Sequence, residues 1–126
     1  MSEVEPILLC AVDAGIATLT LNRPAARNAL SVALMTELEA ALAALAADRS
    51  VKVVILAANG PAFCAGHDLK EMTAHRKEYD KGAYRFRATF GECSTLMKTI
   101  VNHPIPIIAQ VQGESETQLL ARAPHR

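Results

Sequence analysis

The apolar positions of the chain switch between a period of two and a period of about 3.6, and the switches mark out its elements. Ile7 to Val12 and Ile16 to Leu21 are β-rich runs. Asp13-Ala14-Gly15 between them predicts a hairpin in which Gly15 takes the positive φ of a tight turn. Asn22 to Asn28 reads as a loop. Ser31 is then the predicted N-cap of a helix running to about Ala47, with Leu34, Leu38, Leu42 and Leu45 on one face. Burying each of these leucines is worth roughly 1.5–3 kcal/mol, so the helix needs a sheet to pack on. The nearly continuous apolar run Val53 to Ala57 supplies one. Strand, helix and strand in that order predict a parallel crossover unit and an α/β domain.

A second crossover follows. Asn59-Gly60-Pro61 reads as a turn, Leu69 to Met72 as the first turn of a short helix, and Thr73 to Lys81 as a polar, solvated stretch bounded by Gly82. Phe86, Phe90, Cys93, Met97 and Ile100 share the face of an amphipathic helix that ends before His103-Pro104. Pro106 to Val111 is the next parallel strand, expected beside Val53 to Ala57, with Pro106 confined to its first position. Residues 114–126 differ in character, with Leu119-Leu120 their only consecutive large apolar pair. The chain therefore divides into a domain over 1–113 and a tail over 114–126, and the last apolar strand is expected to keep an uncovered edge that favours association.

Charge and cysteine usage narrow the function classes. Lys plus Arg equals Asp plus Glu at 13 each, so no global basic field exists to hold nucleic acid or an anionic membrane. Cys10, Cys64 and Cys93 are an odd count without C-x-x-C spacing, and His75, His103 and His125 have no ligand spacing and read as surface or loop residues. Neither a disulfide framework nor a metal site is expected. The acidic start and the lack of any apolar run near the ~20 residues of a membrane span complete the expectation of a cytoplasmic protein.

Candidate chemistry concentrates in Phe63-Cys64-Ala65-Gly66-His67-Asp68-Leu69-Lys70. A glycine among small side chains, between a strand and an amphipathic segment, lets main-chain N–H groups approach a ligand oxygen and stabilise a developing oxyanion. His67 could instead act through its imidazole as a general base. Asp68 and Glu71 could pair as acid and base, yet Asp68 beside a helix start reads more simply as an N-cap or first-turn anion. Cys64 reads as a small buried residue more readily than as a nucleophile. Arg23, Arg27 and Lys70 are candidates for phosphate contacts.

The string FCAGHDLKEM, with NRPAARNAL upstream, resembles the enoyl-CoA hydratase/isomerase family, the crotonases, over about residues 7–113. The resemblance implies the front part of a ββα spiral, assembly as trimers or hexamers, and an acyl-CoA thioester as ligand, with coenzyme A entering as part of the substrate and no separate cofactor. It implies that the His67 backbone N–H is one oxyanion-hole donor and that Ala65 lies beside the thioester. Asp68, Leu69 and Lys70 match positions at the pantetheine and nucleotide end, and Ala25, Ala26 and Arg27 match a loop closing over the same ligand. The family's second donor comes from a Gly-rich turn past the strand ending at Gly113, and its carboxylates lie further on. By register Gln118 and Ala121 stand at the donor and first carboxylate positions, so the chain is expected to be catalytically incomplete. Three readings follow: a hydratase or isomerase by ancestry, a non-catalytic thioester-binding module, and a partner-dependent fragment.

Overall fold

The computed structural model of the chain describes residues 5–75 and 82–112. β1 (Leu8–Asp13) and β2 (Ile16–Leu21) form the expected hairpin, paired antiparallel from Leu8↔Leu21 to Asp13↔Ile16. Ala14 and Gly15 at its tip have φ of 51° and 82°. Two successive left-handed residues make the mirror-image turn whose twist matches paired strands. Ser31 caps α1 (Val32–Ala46), its hydroxyl accepting the Leu34 N–H at 3.1 Å.

α1 carries the chain over to β3 (Val53–Ala58), parallel to β2. After the short α2 (Leu69–His75), α3 (Ala83–Val101) carries it to β4 (Ile107–Ala109), parallel to β3. The sheet order is β1-β2-β3-β4, so the two runs expected to be parallel neighbours are so. The core forms where Ala17, Leu19 and Leu21 of β2 and Val54 of β3 meet Leu34, Met35, Leu38, Leu42 and Leu45 of α1 and Leu96 of α3. These are the leucines that the helical period of α1 singled out.

α3 departs from expectation in how it faces the core. Cys93 and Ile100 pack against the core, but Phe90 and Met97 are 48% and 44% exposed, while Thr89 and Leu96 are buried. The helix rests on α1, where the Thr99 hydroxyl donates to the Glu39 carboxylate at 3.0 Å. β4 is also shorter than the apolar run suggested, and Ile108 and Val111 on that second sheet edge are exposed.

His103 lies in a loop but is half-buried and works as a tie. Its Nε2 is 2.8 Å from the Leu42 carbonyl oxygen in α1, and its Nδ1 lies 3.2 Å from the Ile105 N–H. A carbonyl only accepts, so the ring proton belongs on Nε2, and Nδ1 accepts from Ile105 at the entry to β4. Residues 76–81 of the polar stretch, and 113–126 with Gln118, Ala121 and His125, lie outside the described residues. Among the described residues no helix is long and apolar enough to cross a membrane.

Candidate functional site

A cleft of ≈ 690 Å³ opens beside the glycine motif, in the size range of small-molecule sites. It is lined by Ala25, Ala26 and Arg27 from the loop before α1 and by Ala65, His67, Asp68 and Lys70 from the motif, with Arg23, Ala29 and Glu71 completing the wall. Segments some forty residues apart in sequence thus share one cavity. Leu69 opens α2, and its side chain lies outside the described residues.

The loop from Arg23 to Asn28 is held in shape by Asn28, which is fully buried with φ 55°. Its Oδ1 accepts the Arg23 N–H at 2.7 Å, and its Nδ2 donates to the carbonyls of Asn59 and Ala62, each at 2.9 Å. Asparagine is the side chain that tolerates a left-handed backbone while offering both donor and acceptor. Gly60 completes the junction. At φ 96° it lies so close to Pro24 that a Cβ on it would stand 2.6 Å from the proline Cβ. Gln112, past β4, holds the same turn from the other side: it donates to the Ala58 and Gly60 carbonyls, and its own carbonyl accepts the Phe63 N–H.

The motif runs alongside this loop through main-chain contacts. Ala65 N–H donates to the Arg27 carbonyl at 3.0 Å, Leu30 N–H to the Gly66 carbonyl at 2.6 Å, and Asp68 N–H to the Leu30 carbonyl at 3.1 Å. Leu30 and His67 form a parallel bridge in which Leu30 bonds the residues on either side of His67. In a trans peptide the C=O and the following N–H point in opposite directions. With the Gly66 carbonyl fixed on Leu30, the His67 N–H must point away from it, and among the described residues it has no acceptor. Gly66 makes the bend possible with φ 93°; the space a Cβ there would enter is open, so backbone angle and not crowding demands glycine.

The carboxylates beside the glycine are committed elsewhere. Asp68 Oδ1 accepts the Glu71 N–H at 3.1 Å at the start of α2, and Oδ2 accepts from Arg23 Nη2 at 3.1 Å. Burial works to raise its pKa, but the Glu71 and Lys70 N–H groups and the Arg23 guanidinium outweigh that and hold it below the ordinary carboxylate range. Glu71 reaches across to α1, where its Oε1 accepts the Val32 N–H at 3.0 Å. The two carboxylates that could have formed an acid–base pair each hold a helix N-terminus. Arg23 is likewise engaged, with Nη1 donating to the Ala29 carbonyl at 2.7 Å.

His67 packs its ring edge-on against Phe90 of α3, with centroids 5.0 Å apart and an interplanar angle of 86°. Its Nδ1 is buried without a hydrogen-bond partner. Burial pushes the Cys64 thiol above its usual pKa, against a hydrogen bond from the Gly66 N–H and with a small contribution from Cys93. A thiol held protonated is a poor nucleophile. Arg27 and Lys70 are exposed and, among the described residues, make no ion pair. Among the described residues no group of three or more His, Cys, Asp or Glu side chains could hold a metal ion.

The Enoyl-CoA hydratase/isomerase family model matches residues 11–117. The chain belongs to this family. It is 39% identical over 112 residues to human enoyl-CoA hydratase domain-containing protein 3, mitochondrial, covering 89% of this chain and 35% of that protein. The crystal structure of an enoyl-CoA hydratase from Mycobacterium smegmatis superposes with a TM-score of 0.77 at 49% identity, over 85% of this chain and 40% of that one. The structure of the human domain-containing protein 3 gives 0.76 at 35% identity, over 86% and 41%. The chain thus spans about a third of the curated relatives' length, and its α/β fold is the matching part of a crotonase fold. The expected cytoplasmic location is corrected by these relatives, since the human, rat and mouse proteins are all named mitochondrial.

Among the residues that shape the site, Asn28, Glu71 and Gln112 were not assigned their roles by the sequence. Asn28 left one trace, as an asparagine at the end of a loop where a left-handed residue is common. Glu71 and Gln112 act on segments 39 and more than 50 residues away, and no local pattern records such a pairing.

Proposed function

We propose that the cleft binds an acyl-CoA thioester and that the His67 backbone N–H donates a hydrogen bond to the thioester carbonyl oxygen. The observation that carries this is the His67 N–H itself: held by the peptide plane it shares with the Gly66 carbonyl, without a protein acceptor among the described residues, on a residue that lines the cleft. A donor fixed before the ligand arrives needs no reorganisation when negative charge develops on that oxygen. Ala65 beside it is small enough to admit the thioester, and Arg27 and Lys70, which make no ion pair among the described residues, supply positive charge for the phosphates of the nucleotide end.

A non-catalytic thioester-binding module is the second reading, favoured by one observation. Asp68 and Glu71, the carboxylates of the cleft wall, both hold helix N-termini and so are not free for proton transfer.

Replacing the His67 amide by an ester removes the N–H while keeping the chain's shape; His67→Ala removes the ring and keeps the donor. In calorimetric titration with a non-hydrolysable acyl-CoA, the ester is expected to weaken binding about tenfold, near 1.4 kcal/mol, and His67→Ala to stay within about threefold. Full affinity in the ester protein together with loss in His67→Ala would assign the contact to the imidazole.

A further inference from the structure

Arg23 stands at the end of a chain of hydrogen bonds that leads to the His67 N–H. Its Nη1 donates to the Ala29 carbonyl at 2.7 Å. The Leu30 N–H, in the same peptide plane as that carbonyl, donates to the Gly66 carbonyl at 2.6 Å. The plane of the Gly66 carbonyl in turn carries the His67 N–H. Two trans peptide groups are thereby lined up head to tail, each with its oxygen toward Arg23 and its N–H toward His67. A permanent positive charge occupies the tail.

Hydrogen bonds arranged in this way polarise one another: a cation on the first carbonyl makes the Leu30 N–H a stronger donor, and that contact does the same for the His67 N–H. We infer that Arg23 is a positioning residue which orients and polarises the His67 N–H through the Ala29–Leu30 and Gly66–His67 peptide groups, instead of contacting the ligand. The inference rests on the reading of that N–H as the donor to the thioester oxygen.

Three features of Arg23 suit the role. Its backbone is immobilised, because its N–H donates to Asn28 Oδ1 at 2.7 Å and its carbonyl accepts the Ala26 and Asn28 N–H groups at 3.0 and 2.9 Å. Its guanidinium is forked, with Nη1 on Ala29 and Nη2 on Asp68 at 3.1 Å. Its side chain is 23% exposed, and the Asp68 side chain 13%, so little water competes for the pair. The Asp68 contact keeps the guanidinium aligned while the other nitrogen serves the chain. Lysine, with one compact ammonium, cannot reproduce the fork.

The reading separates from a phosphate contact by what is lost when Arg23 changes. In the intact protein, Arg23→Met is expected to weaken a non-hydrolysable acyl-CoA about tenfold while leaving free CoA within about twofold, with Arg23→Lys between parent and Arg23→Met. In 15N-labelled protein the His67 amide proton is expected to move upfield in Arg23→Met and partway in Arg23→Lys, as a weaker donor does. Equal losses for CoA and acyl-CoA would mean that Arg23 meets the nucleotide end, and the inference would fall. Circular dichroism melts identify a variant that has not folded; should that be Arg23→Met, an unchanged affinity ratio and His67 shift in Arg23→Lys would overturn the inference. If the parent binds acyl-CoA no better than CoA, it is the functional reading that fails, and the His67 shift alone then decides for or against the chain of polarised groups.

Discussion

Removing the Asn28 side chain should be among the most damaging single changes to the site wall, and its cost can be worked from the hydrogen bonds it makes. Asn28 is fully buried, accepts from the Arg23 N–H and donates to the Asn59 and Ala62 carbonyls. Each such bond contributes about 0.5–1.5 kcal/mol net, and the buried partners left behind push the cost toward the upper end. Its φ of 55° adds a further ~1 kcal/mol for alanine, which tolerates the left-handed region less well. Asn28→Ala is therefore expected to lose about 3–5 kcal/mol, a large share of an ordinary domain's stability. Asn28→Asp keeps the size and the acceptor but turns the amide donor into an oxygen facing two carbonyl oxygens. Ionisation is penalised there, so the folded pKa of the new carboxyl is raised above its unfolded value of about 3.9. The acid then supports folding best below that value, and the support is lost as pH rises through the raised folded pKa. Urea unfolding followed by circular dichroism at pH 7 and pH 4.5, with the parent in parallel, should show a deficit for Asn28→Asp that shrinks in acid. A deficit equal at both pH values, or an Asn28→Ala within about 1 kcal/mol of the parent, would refute the role assigned to this side chain.

Further outcomes follow from the same geometry. Ala14→Asn should raise stability by about 0.5–1 kcal/mol, because Ala14 sits at φ 51° in a turn that prefers asparagine before glycine; a lower melting temperature would show that the turn is not strained. Alkylation with iodoacetamide at pH 8, followed by mass spectrometry, should modify exposed Cys10 at least about tenfold faster than Cys64, whose thiol is half-buried and held protonated. Comparable rates would contradict that burial. Glu71→Gln keeps an oxygen for the Val32 N–H and should cost under about 1 kcal/mol, against about 1–2 for Glu71→Ala. Equal losses in chemical unfolding would deny Glu71 its capping role.

What was legible in the sequence was whatever a local period or a single residue's conformational needs could record. The leucines of α1 repeat on one face because that face meets the sheet, and Ser31 stands at its start because the first N–H groups of a helix lack acceptors. Gly15 was visible because left-handed backbone admits few other residues, whereas Gly66 was singled out for close approach to a ligand and proves to be left-handed as well. The face of α3 was misjudged because its apolar residues form a wide band, and the local period does not say which edge of that band meets the core. The cleft was legible as two motifs that the family resemblance brings to one ligand, but not in the contacts that join them. Nothing in the order of residues says that Glu71 caps a helix beginning at Val32, or that Gln112 closes a turn at Gly60.

Asp68 read in sequence more readily as a helix cap than as chemistry, and in the fold it and Glu71 both serve geometry, for a physical reason. A main-chain N–H can be aimed only by fixing the peptide plane that carries it, and that plane is fixed through its carbonyl and its flanking residues. Here the Gly66 carbonyl is held by Leu30, the Asp68 N–H by the Leu30 carbonyl, and the Asp68 carboxylate by Arg23 and the first turn of α2. Asp68 and Arg23 are costly to bury unless paired, and pairing them across the two segments sets the distance between the loop before α1 and the motif. Had either carboxylate been free in the cleft, its charge would have opposed both an acyl-CoA phosphate and a developing oxyanion. Engaging them in caps and an ion pair leaves Arg27 and Lys70 as the exposed charges of the cleft wall and the His67 N–H without a protein acceptor among the described residues, which is what the proposed binding of an anionic thioester requires.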